Sequence, residues 1–371
     1  MAAKLPSFDF GKIRDFFSFG SKNFLGIDIG TFSIRAVEIT KRKGYFHLSN
    51  YGELESSSFK RKNFQLFHRS AISLSNKEIA QGIRYILEET SIQTKEVSFA
   101  IPDFASFFTS FEIPVMDRDE IPQAIQYEIR PYVPLPVNEL ALDWAIIEGQ
   151  PSSTPLKVLV VAIPNDVVVQ YQEIAQLAEL ELKTLESEVF ALTRALKNSL
   201  KGRDDVKKVL GLIDIGSRSA TCSIIDGGIL KSSHSFSTGG NELTEIVAKS
   251  LNIEYNKGEE IKIKRGIAPN QEEKVRKILA PLVDSLLAET KEAFRTFFIK
   301  EGKEVEKVFL TGGSATMPGL REYCSASLGK PVEILNPFSN IAYPKIISEI
   351  ITRMAPSFAI AAGLALKGFE K

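Results

Sequence analysis

The stretch that decides the fold is residues 25–33, which read LGIDIGTFS. An apolar strand there carries Asp28 between two isoleucines and then turns sharply at Gly30. A second stretch, residues 212–219, reads LIDIGSRS and repeats the order Ile-Asp-Ile-Gly-hydroxyl-x-Ser without a gap, with Asp214 in the place of Asp28. A matched pair of this kind indicates a duplicated supersecondary unit.

The residues that follow each copy predict the same meander of strands. The predicted strands are 34–40 and 45–51 in the first copy and 220–225 and 229–236 in the second. A short turn rich in glycine or basic residues joins the strands of each pair. Two meanders that each open on a turn beside an aspartate can face each other across a cleft.

Such a cleft suits phosphate and a metal ion, because turn N–H groups point at anionic oxygens and glycine permits close approach. The candidate phosphate ligands in the two turns are Gly30, Thr31, Phe32, Ser33, Gly216, Ser217, Arg218 and Ser219. Asp28 and Asp214 are the candidate ligands of Mg²⁺, through its waters, because this ion loses its hydration shell reluctantly. The alternative is two ordinary hairpins whose aspartates accept from turn N–H groups. The matched repeat favours the phosphate-binding interpretation.

A third glycine-rich element occurs at residues 308–320, VFLTGGSATMPGL. It predicts a strand, a glycine loop and a helix with Pro318 near its first position. At these residues and at the two repeats, the sequence resembles the actin, Hsp70 and sugar-kinase superfamily of nucleotide-binding folds. The resemblance implies an α/β, actin-like two-lobed fold of duplicated ribonuclease-H-like units, with Gly312, Gly313 and Ser314 lying against the nucleotide. Neither the P-loop pattern nor a complete GxGxxG is present.

Composition sets further bounds. The 371 residues, 44% of them hydrophobic, are enough for two sizeable cores. Basic and acidic residues number 46 each, so the sequence shows no electrostatic footprint for nucleic acid. Two cysteines and three scattered histidines give no zinc spacing or disulfide framework, which suits a reducing cytosol. No apolar run approaches the roughly 20 residues that span a bilayer.

The chain divides into six predicted segments. They are a Phe-rich amphipathic arm (1–23), the first lobe (24–101), an inserted α/β subdomain (102–185), a connecting helix of the first lobe (186–205), the second lobe (206–354) and a C-terminal helix that returns to the first lobe (355–371). The arm can lie on a membrane surface, dock on this protein or a partner, or stay mobile. The insert is predicted from strands 107–113, 140–148 and 156–163 and helices 118–130 and 165–180.

The connecting helix, predicted at 189–200, begins after Glu186-Ser187-Glu188, and Ser187 can cap it. In the superfamily the start of this helix faces the γ-phosphate, so the resemblance implies Glu188 as the water-orienting catalytic residue. Glu188 is equally interpretable as a first-turn acid that the helix dipole favours. We therefore expect nucleotide binding, with slow hydrolysis at most.

Two further places complete the predicted nucleotide site. Gly239 and Gly240 close the second meander and open a helix. Lys262 stands with Glu259 and Lys264 on a short helix where superfamily members contact adenosine. A solvated, charged face is the expected role for at least two of these three residues.

The insert narrows the choice within the superfamily. Its residues 128–136, EIRPYVPLP, with the strand that carries Asp143, resemble the PilM family of type IV pilus assembly proteins, relatives of the cell-division protein FtsA. Residues 186–192 (ESEVFAL), 239–244 (GGNELT) and 335–338 (LNPF) carry the same resemblance. One departure is Arg35, where the family usually has a lysine that reaches the phosphates. Arginine keeps the charge but presents it as a planar fork.

The resemblance implies a cytoplasmic scaffold, peripheral to the inner membrane, that binds ATP and Mg²⁺ in type IV pilus or related type II secretion assembly. Its implied partner is the cytoplasmic N-terminal tail of PilN, an extended peptide held by the insert and the first lobe, with other pilus components and pilus ATPases as further partners. A small-molecule kinase is one alternative, but the glycine-rich loops offer no aspartate as general base. An FtsA-like division protein is another, but it would carry a C-terminal amphipathic helix, for which residues 366–371 are too short.

Overall fold

The computed structural model describes residues 22–55, 67–68, 71–72, 74–269 and 273–370. The predicted arm at 1–23 lies outside the described residues except for its last two positions. The strands are β1 (Lys22–Ile29), β2 (Ser33–Arg42), β3 (Tyr45–Glu55), β4 (Phe67–His68), β5 (Ala71–Ile72), β6 (Glu96–Ile101), β7 (Phe107–Ile113), β8 (Leu140–Glu148), β9 (Leu156–Pro164), β10 (Glu181–Ser187), β11 (Val209–Ile215), β12 (Ala220–Asp226), β13 (Ile229–Phe236), β14 (Lys307–Thr311), β15 (Val332–Ile334) and β16 (Ile341–Ala342). The α-helices are α1 (Asn76–Glu89), α2 (Ile121–Glu128), α3 (Asn165–Leu177), α4 (Glu188–Ser199), α5 (Gly240–Leu251), α6 (Tyr255–Arg265), α7 (Glu273–Glu301), α8 (Leu320–Leu328), α9 (Ser348–Met354) and α10 (Ala359–Lys367).

Two large sheets share one plan, which confirms the predicted duplication. Their strand orders are β10-β6-β1-β2-β3-β16 and β13-β12-β11-β14-β15. In each sheet an antiparallel meander opens on the strand of the repeat, and a parallel strand, β6 or β14, flanks that strand on its other side. Asp28 and Asp214 are the penultimate residues of β1 and β11, opposite Arg35 and Thr221 respectively. The two aspartates therefore occupy equivalent places in the two halves.

The first sheet is covered by helices on both faces, which explains why β1 is apolar on both sides. Leu25, Ile27 and Ile29 of β1 lie in the core cluster that includes α1 and α3. On the other face, Val37 and Ile39 of β2 pack in the cluster that includes α10. The carboxylate of Asp28 is the exception in this buried strand, at the point where the strand meets the turn.

The crossing of α10 over α4 depends on small residues. A Cβ on Gly363 of α10 would lie 2.0 Å from the carbonyl oxygen of Ala191 in α4. On the opposite side of α10, a Cβ on Gly26 of β1 would lie 2.2 Å from the carbonyl oxygen of Ala361. Helix α10 is therefore held between α4 and the first sheet at backbone contact distance.

One helical run among the described residues, Lys345–Lys367, is long and apolar enough to cross a membrane by length and composition. Its best window has a mean hydropathy of 1.3, and 61% of that window is buried inside the protein. The run joins α9 and α10, and α10 packs on β1, β2, β6 and α4. Its hydrophobicity is accounted for by its place in the core.

The insert contains a three-stranded antiparallel sheet in the order β7-β9-β8, with the bounds of all three strands close to those predicted. Helix α2 packs on this sheet through Ile121 and Ile125. The predicted helix 118–130 is shorter than expected, and a single 3₁₀ turn, Arg130–Tyr132, follows it. Pro131 in that turn has no N–H with which to extend the α-helical ladder.

Strand β10 was not predicted from the sequence. It pairs in parallel with β6 and forms one edge of the first sheet. The preceding helix ends at Leu177 rather than at residue 180, because Glu179 adopts a left-handed φ of 59°. Helix α3 also packs in the first-lobe core through Tyr171 and Ile174. Residues 102–185 were predicted to form one inserted subdomain. In the structure the separate unit consists of β7, α2, β8 and β9, whereas α3 and β10 belong to the first lobe.

Candidate functional site

A cavity of about 260 Å³ opens between the two lobes at the ends of β1 and β11. The sequence-predicted site residues that line it are Asp28, Gly30, Thr31, Phe32, Arg35, Glu188, Asp214, Gly216, Ser217, Arg218, Ser219, Gly240, Lys262, Gly312, Gly313 and Ser314. Ser33 and Gly239 were also predicted but do not line the cavity. Ser33 is fully buried, and Gly239 packs behind the second loop. The structure therefore gathers residues nearly 300 positions apart into one cleft.

The loops that bound the cleft need glycine for steric reasons. The N–H of Gly30 donates to the carbonyl oxygen of Ser33 at 3.0 Å and closes the first turn. A Cβ on Gly239 would lie 2.5 Å from the carbonyl carbon of Arg218, so α5 begins directly against the second turn. Gly312 has a φ of 89°, and a Cβ there would lie 2.5 Å from the Oδ1 atom of Asp214.

Four acids stand together at the base of the cleft: Asp28, which is buried, and Asp103, Glu188 and Asp214, which are half-buried. Burial raises the pKa of Asp28 to about 6, although the nearby Arg35 opposes this shift. Burial, with Asp103 and Asp28 nearby, raises the pKa of Asp214 to about 7. Burial and the neighbouring Asp103, Asp28 and Asp214 together raise the pKa of Glu188 well above its ordinary value. A cation bound among these carboxyl groups would offset their mutual repulsion.

Several buried polar atoms around the cleft have no hydrogen-bond partner within the described part of the chain. They are the Oδ1 atom of Asp28, the Oγ atom of Ser33, the Nε atom of Arg35 and the Nη1 atom of Arg218. A buried polar atom without a partner costs about 1–3 kcal/mol. Carboxylate oxygens are the ligands that Mg²⁺ prefers, and guanidinium and hydroxyl groups suit phosphate. The described residues contain no group of three or more acidic, histidine or cysteine side chains placed to hold a metal directly, so these groups suit a phosphate chain and a metal held through its waters.

Arg35 lies at the back of the cleft between two acids. Its Nη2 atom is 2.9 Å from Oε1 of Glu53, and its Nη1 atom is 3.8 Å from Oδ2 of Asp28. Its guanidinium carbon lies 5.8 Å from the ring centroid of Phe358. Glu53 thus fixes the planar group that replaces the lysine expected from the family resemblance.

Lys262 reaches into the cleft from α6. Its Nζ atom donates to the Gly240 carbonyl oxygen at 3.1 Å and to the Thr244 hydroxyl at 2.9 Å, and it pairs with Glu259 at 2.8 Å. Only Lys264 of the three charged residues considered is solvated, with a side chain that is 73% exposed. The expectation of at least two solvated residues was wrong, because Glu259 also lines the cleft.

The start of α4 differs from prediction in its capping. Ser187 occupies the N-cap position, but its hydroxyl donates to Oδ1 of Asp103 at 3.0 Å rather than accepting from a helix N–H. Glu188, the first residue of α4, accepts from the backbone N–H of Asp103 at 3.2 Å. Its raised pKa reduces the fraction of the Glu188 carboxyl group that is ionised at a given pH, and so reduces its availability as a general base.

Sequence reasoning missed Asp103, Phe104 and Tyr255. Asp103 follows β6 by two positions, and burial raises its pKa to about 6 despite hydrogen bonds from Thr221 and Ser187. Phe104 lies under the guanidinium of Arg218, with 4.4 Å between the guanidinium carbon and the ring centroid. The sequence contained one indication of the position of Asp103. It follows β6, a short apolar strand, and residues beyond the carboxyl ends of neighbouring parallel strands lie at the same edge of the sheet.

Two sheets of the same plan around such a cleft define the actin-like class of folds. Solved structures agree on the fold. MreB5 of Spiroplasma citri bound to AMPPNP has a TM-score of 0.52 and 14% identity, and the match covers 94% of this chain and 96% of that chain. The ethanolamine utilization protein EutJ from Carboxydothermus hydrogenoformans has a TM-score of 0.57 and 17% identity, with 93% and 89% covered.

The family is shown by a model described as Type IV pilus assembly protein PilM, which matches residues 26–369. The chain therefore belongs to the PilM family. A structure of the PilM-PilN type IV pilus biogenesis complex is similar in fold, with a TM-score of 0.83, 24% identity and coverage of 94% of this chain and 98% of that chain. The cell division protein FtsA of Enterococcus faecalis is 25% identical over 337 residues, which cover 80% of this chain and 74% of that protein. The PilM match favours pilus assembly over the kinase and division-protein alternatives.

Proposed function

We propose that this chain is an ATP-binding scaffold of type IV pilus assembly that lies at the cytoplasmic face of the inner membrane and holds the tail of PilN. The observation that supports nucleotide binding is the pair of equivalent turns, one from each lobe, that face one cleft with an unpartnered carboxylate oxygen on Asp28. Neither turn alone would distinguish a phosphate loop from an ordinary hairpin.

Each part of Mg-ATP has residues that suit it. The turns at 30–33 and 216–219 would take the phosphates, and Asp28 and Asp214 would hold Mg²⁺, which supplies positive charge between the phosphates and the acids. The Gly312-Gly313 loop would lie along one side of the adenosine, with Lys262 and its neighbours on α6 along the other.

Calorimetric titration of the full chain with ATP, with and without Mg²⁺, tests this assignment. We expect one saturable site whose affinity depends on Mg²⁺, because the buried acids repel an uncompensated polyphosphate. A chain that takes up no ATP at millimolar concentration in the presence of Mg²⁺ would contradict the proposal.

The pH dependence of binding follows from the raised pKa values of Asp28 and Asp214. Metal binding favours the ionised carboxylates, whereas the free protein holds these protons up to about pH 6 and pH 7. Binding should therefore release protons at pH 6.5 and much fewer at pH 8.5, and affinity should rise over that range. Calorimetry in buffers of different ionisation enthalpy measures the release, and titration of ATP with Mg²⁺ alone corrects for protons from the nucleotide.

Turnover is expected to be slow. Glu188 accepts from a backbone N–H, and its raised pKa reduces the ionised fraction that could act as a base for water. We expect phosphate release below about 1 s⁻¹, the low end of typical enzymes. Rapid turnover in a phosphate-release assay would show that Glu188 ionises in the nucleotide complex.

The groove that we propose for the PilN tail is the shallow space between β8 and β10, whose cavity volume is about 20 Å³, so the tail would lie along the strand edges rather than fill a pocket. Each is an edge strand, β8 of the inserted sheet and β10 of the first sheet, and the residues between them are largely apolar. They are Ala141, Leu142, Asp143, Val161, Ile163, Val168, Leu185, Glu186, Ser187 and Phe190. An extended peptide can pair with such an edge and place alternate side chains in the groove. Asp143 at the exposed rim suits a tail that carries apolar residues near a basic one.

A further inference from the structure

A second cavity, of about 300 Å³, lies between the inserted sheet and the second lobe. Strands β7 and β9 line it on one side, and β13 and the C-terminal part of α7 line it on the other. It shares no lining residue with the cleft at Asp28 and Asp214. Its size is at the lower end of the range for small-molecule sites, which begins at about 300 Å³.

Three lysines from three elements converge on this cavity: Lys157 of β9, Lys231 of β13 and Lys300 of α7. Lys157 is paired with Glu301, which lines the same space. Within the described ranges, neither Lys231 nor Lys300 forms an ion pair. The three lysines outnumber the two lining carboxylates, Glu112 and Glu301, by one, so the lining residues carry a net positive charge.

Hydrogen-bond donors accompany this charge. The Oγ atom of Ser232 is buried and has no hydrogen-bond partner among the described residues. Nearby hydroxyls of the same strand are satisfied, because Ser233 and Ser235 each pair with a hydroxyl of β12 at 3.1 Å. Burial and the charge of Lys300 lower the pKa of His234, so its imidazole is neutral at pH 7 and offers one N–H. Strand β13 thus satisfies its other hydroxyls and leaves that of Ser232, a residue of the cavity wall, without a partner among the described residues.

We propose that this cavity binds a small phosphate-bearing molecule, with the phosphate between Lys231, Lys300 and Ser232. Two unpaired ammonium groups and a free hydroxyl suit a dianion better than a single carboxylate. All three of these groups belong to the second lobe, whereas Lys157, which is paired with Glu301, is the lysine that the insert contributes to the wall of the cavity. The site is separate from the nucleotide cleft, so it goes beyond the proposed function.

Inorganic phosphate is the probe for this site in the full chain saturated with Mg-ATP, which occupies the first cleft. The readout is the imidazole NMR signal of His234, one of three histidines, assigned with the His234→Gln variant. We expect the signal to move saturably and the pKa of His234 to rise, because the anion offsets the charge of Lys300. The Lys231→Gln/Lys300→Gln double variant should bind phosphate about tenfold more weakly or worse, since it removes two hydrogen bonds to a charged group.

The control is Lys277→Gln, whose side chain on α7 is 74% exposed and away from the cavity. It should leave the titration unchanged, and an unchanged Mg-ATP affinity in every variant reports that the fold is intact. If the double variant does not fold, Ser232→Ala removes one donor without removing charge and should still weaken phosphate binding. The proposal is overturned if chloride at equal ionic strength moves His234 equally, if phosphate does not move it, or if the variants titrate like the wild type.

Discussion

The Asp214→Asn variant is expected to lose Mg-ATP affinity by about 100-fold or more, which corresponds to about 2.7 kcal/mol. The change removes a buried negative charge from the place where a metal would offset it beside a polyphosphate, and it preserves the size of the side chain. Asp28→Ala should weaken binding in the same way. Unchanged affinity in both Asp28→Ala and Asp214→Ala would refute the assignment of the cleft.

The same Asp214→Asn variant should melt at a higher temperature than the wild type when no nucleotide is present. Because the folded state raises the pKa of Asp214 to about 7, ionisation destabilises the fold progressively as pH rises from about 4 to 7. Asparagine does not ionise, so the gain in stability should be small at pH 4.5 and full at pH 8. Differential scanning calorimetry at the two pH values measures this, with the exposed Asp204→Asn as a control that should change neither stability nor binding.

Gly363→Ala is expected to destabilise the chain by about 3 kcal/mol or more, at the upper end for overpacked sites. The added Cβ would lie 2.0 Å from the backbone oxygen of Ala191, and backbone cannot rotate away as a side chain can. Helices α4 and α10 would have to separate, which would also displace Glu188 at the start of α4. Thermal unfolding followed by circular dichroism measures the loss.

Gly313→Ala is the matched control, since a Cβ at Gly313 meets nothing within 4 Å and its backbone needs no left-handed conformation. Its melting temperature should stay close to that of the wild type. Equal melting temperatures for Gly363→Ala and wild type would mean that the two helices do not cross at backbone contact.

The sequence predicted those parts of the fold that are determined by residues within one short stretch of the chain. The meanders and the loops at Asp28 and Asp214 each carry their strand, turn and hydroxyl residues together, and a glycine marks each turn. Strand β10 has no such signal, since residues 181–187 read ELKTLES with one β-branched residue. It becomes a strand because β6 offers it an edge, and that edge is set by chain folding rather than by local propensity.

The errors at the site have the same origin. Ser187 has the right type and position to cap α4, but Asp103, 84 positions away, takes its hydroxyl. At least two of Glu259, Lys262 and Lys264 were expected on a solvated face of a polar helix, yet α6 lies beside the cleft and both Lys262 and Glu259 line it. Side-chain partners distant in sequence decided these roles, and single-sequence patterns do not contain them.

We propose that the PilN tail binds to the groove between β8 and β10, which lies outside the nucleotide cleft. Ordering a basic, apolar tail that is disordered alone costs several kcal/mol of the binding free energy, so we expect micromolar affinity. Ala141 is half-buried and lines the groove. The Ala141→Arg variant would block the groove and repel the basic residue of the tail. Val115→Arg, at a half-exposed turn after β7, changes charge equally outside the groove.

The direct measurement is fluorescence anisotropy of a labelled PilN cytoplasmic tail titrated with the full chain in Mg-ATP. We expect saturable binding with a dissociation constant of about 1–100 μM, at least about tenfold weaker binding by Ala141→Arg, and unchanged binding by Val115→Arg. Binding by Ala141→Arg that is as tight as that of the wild type, or no binding by the wild type, would contradict the proposal.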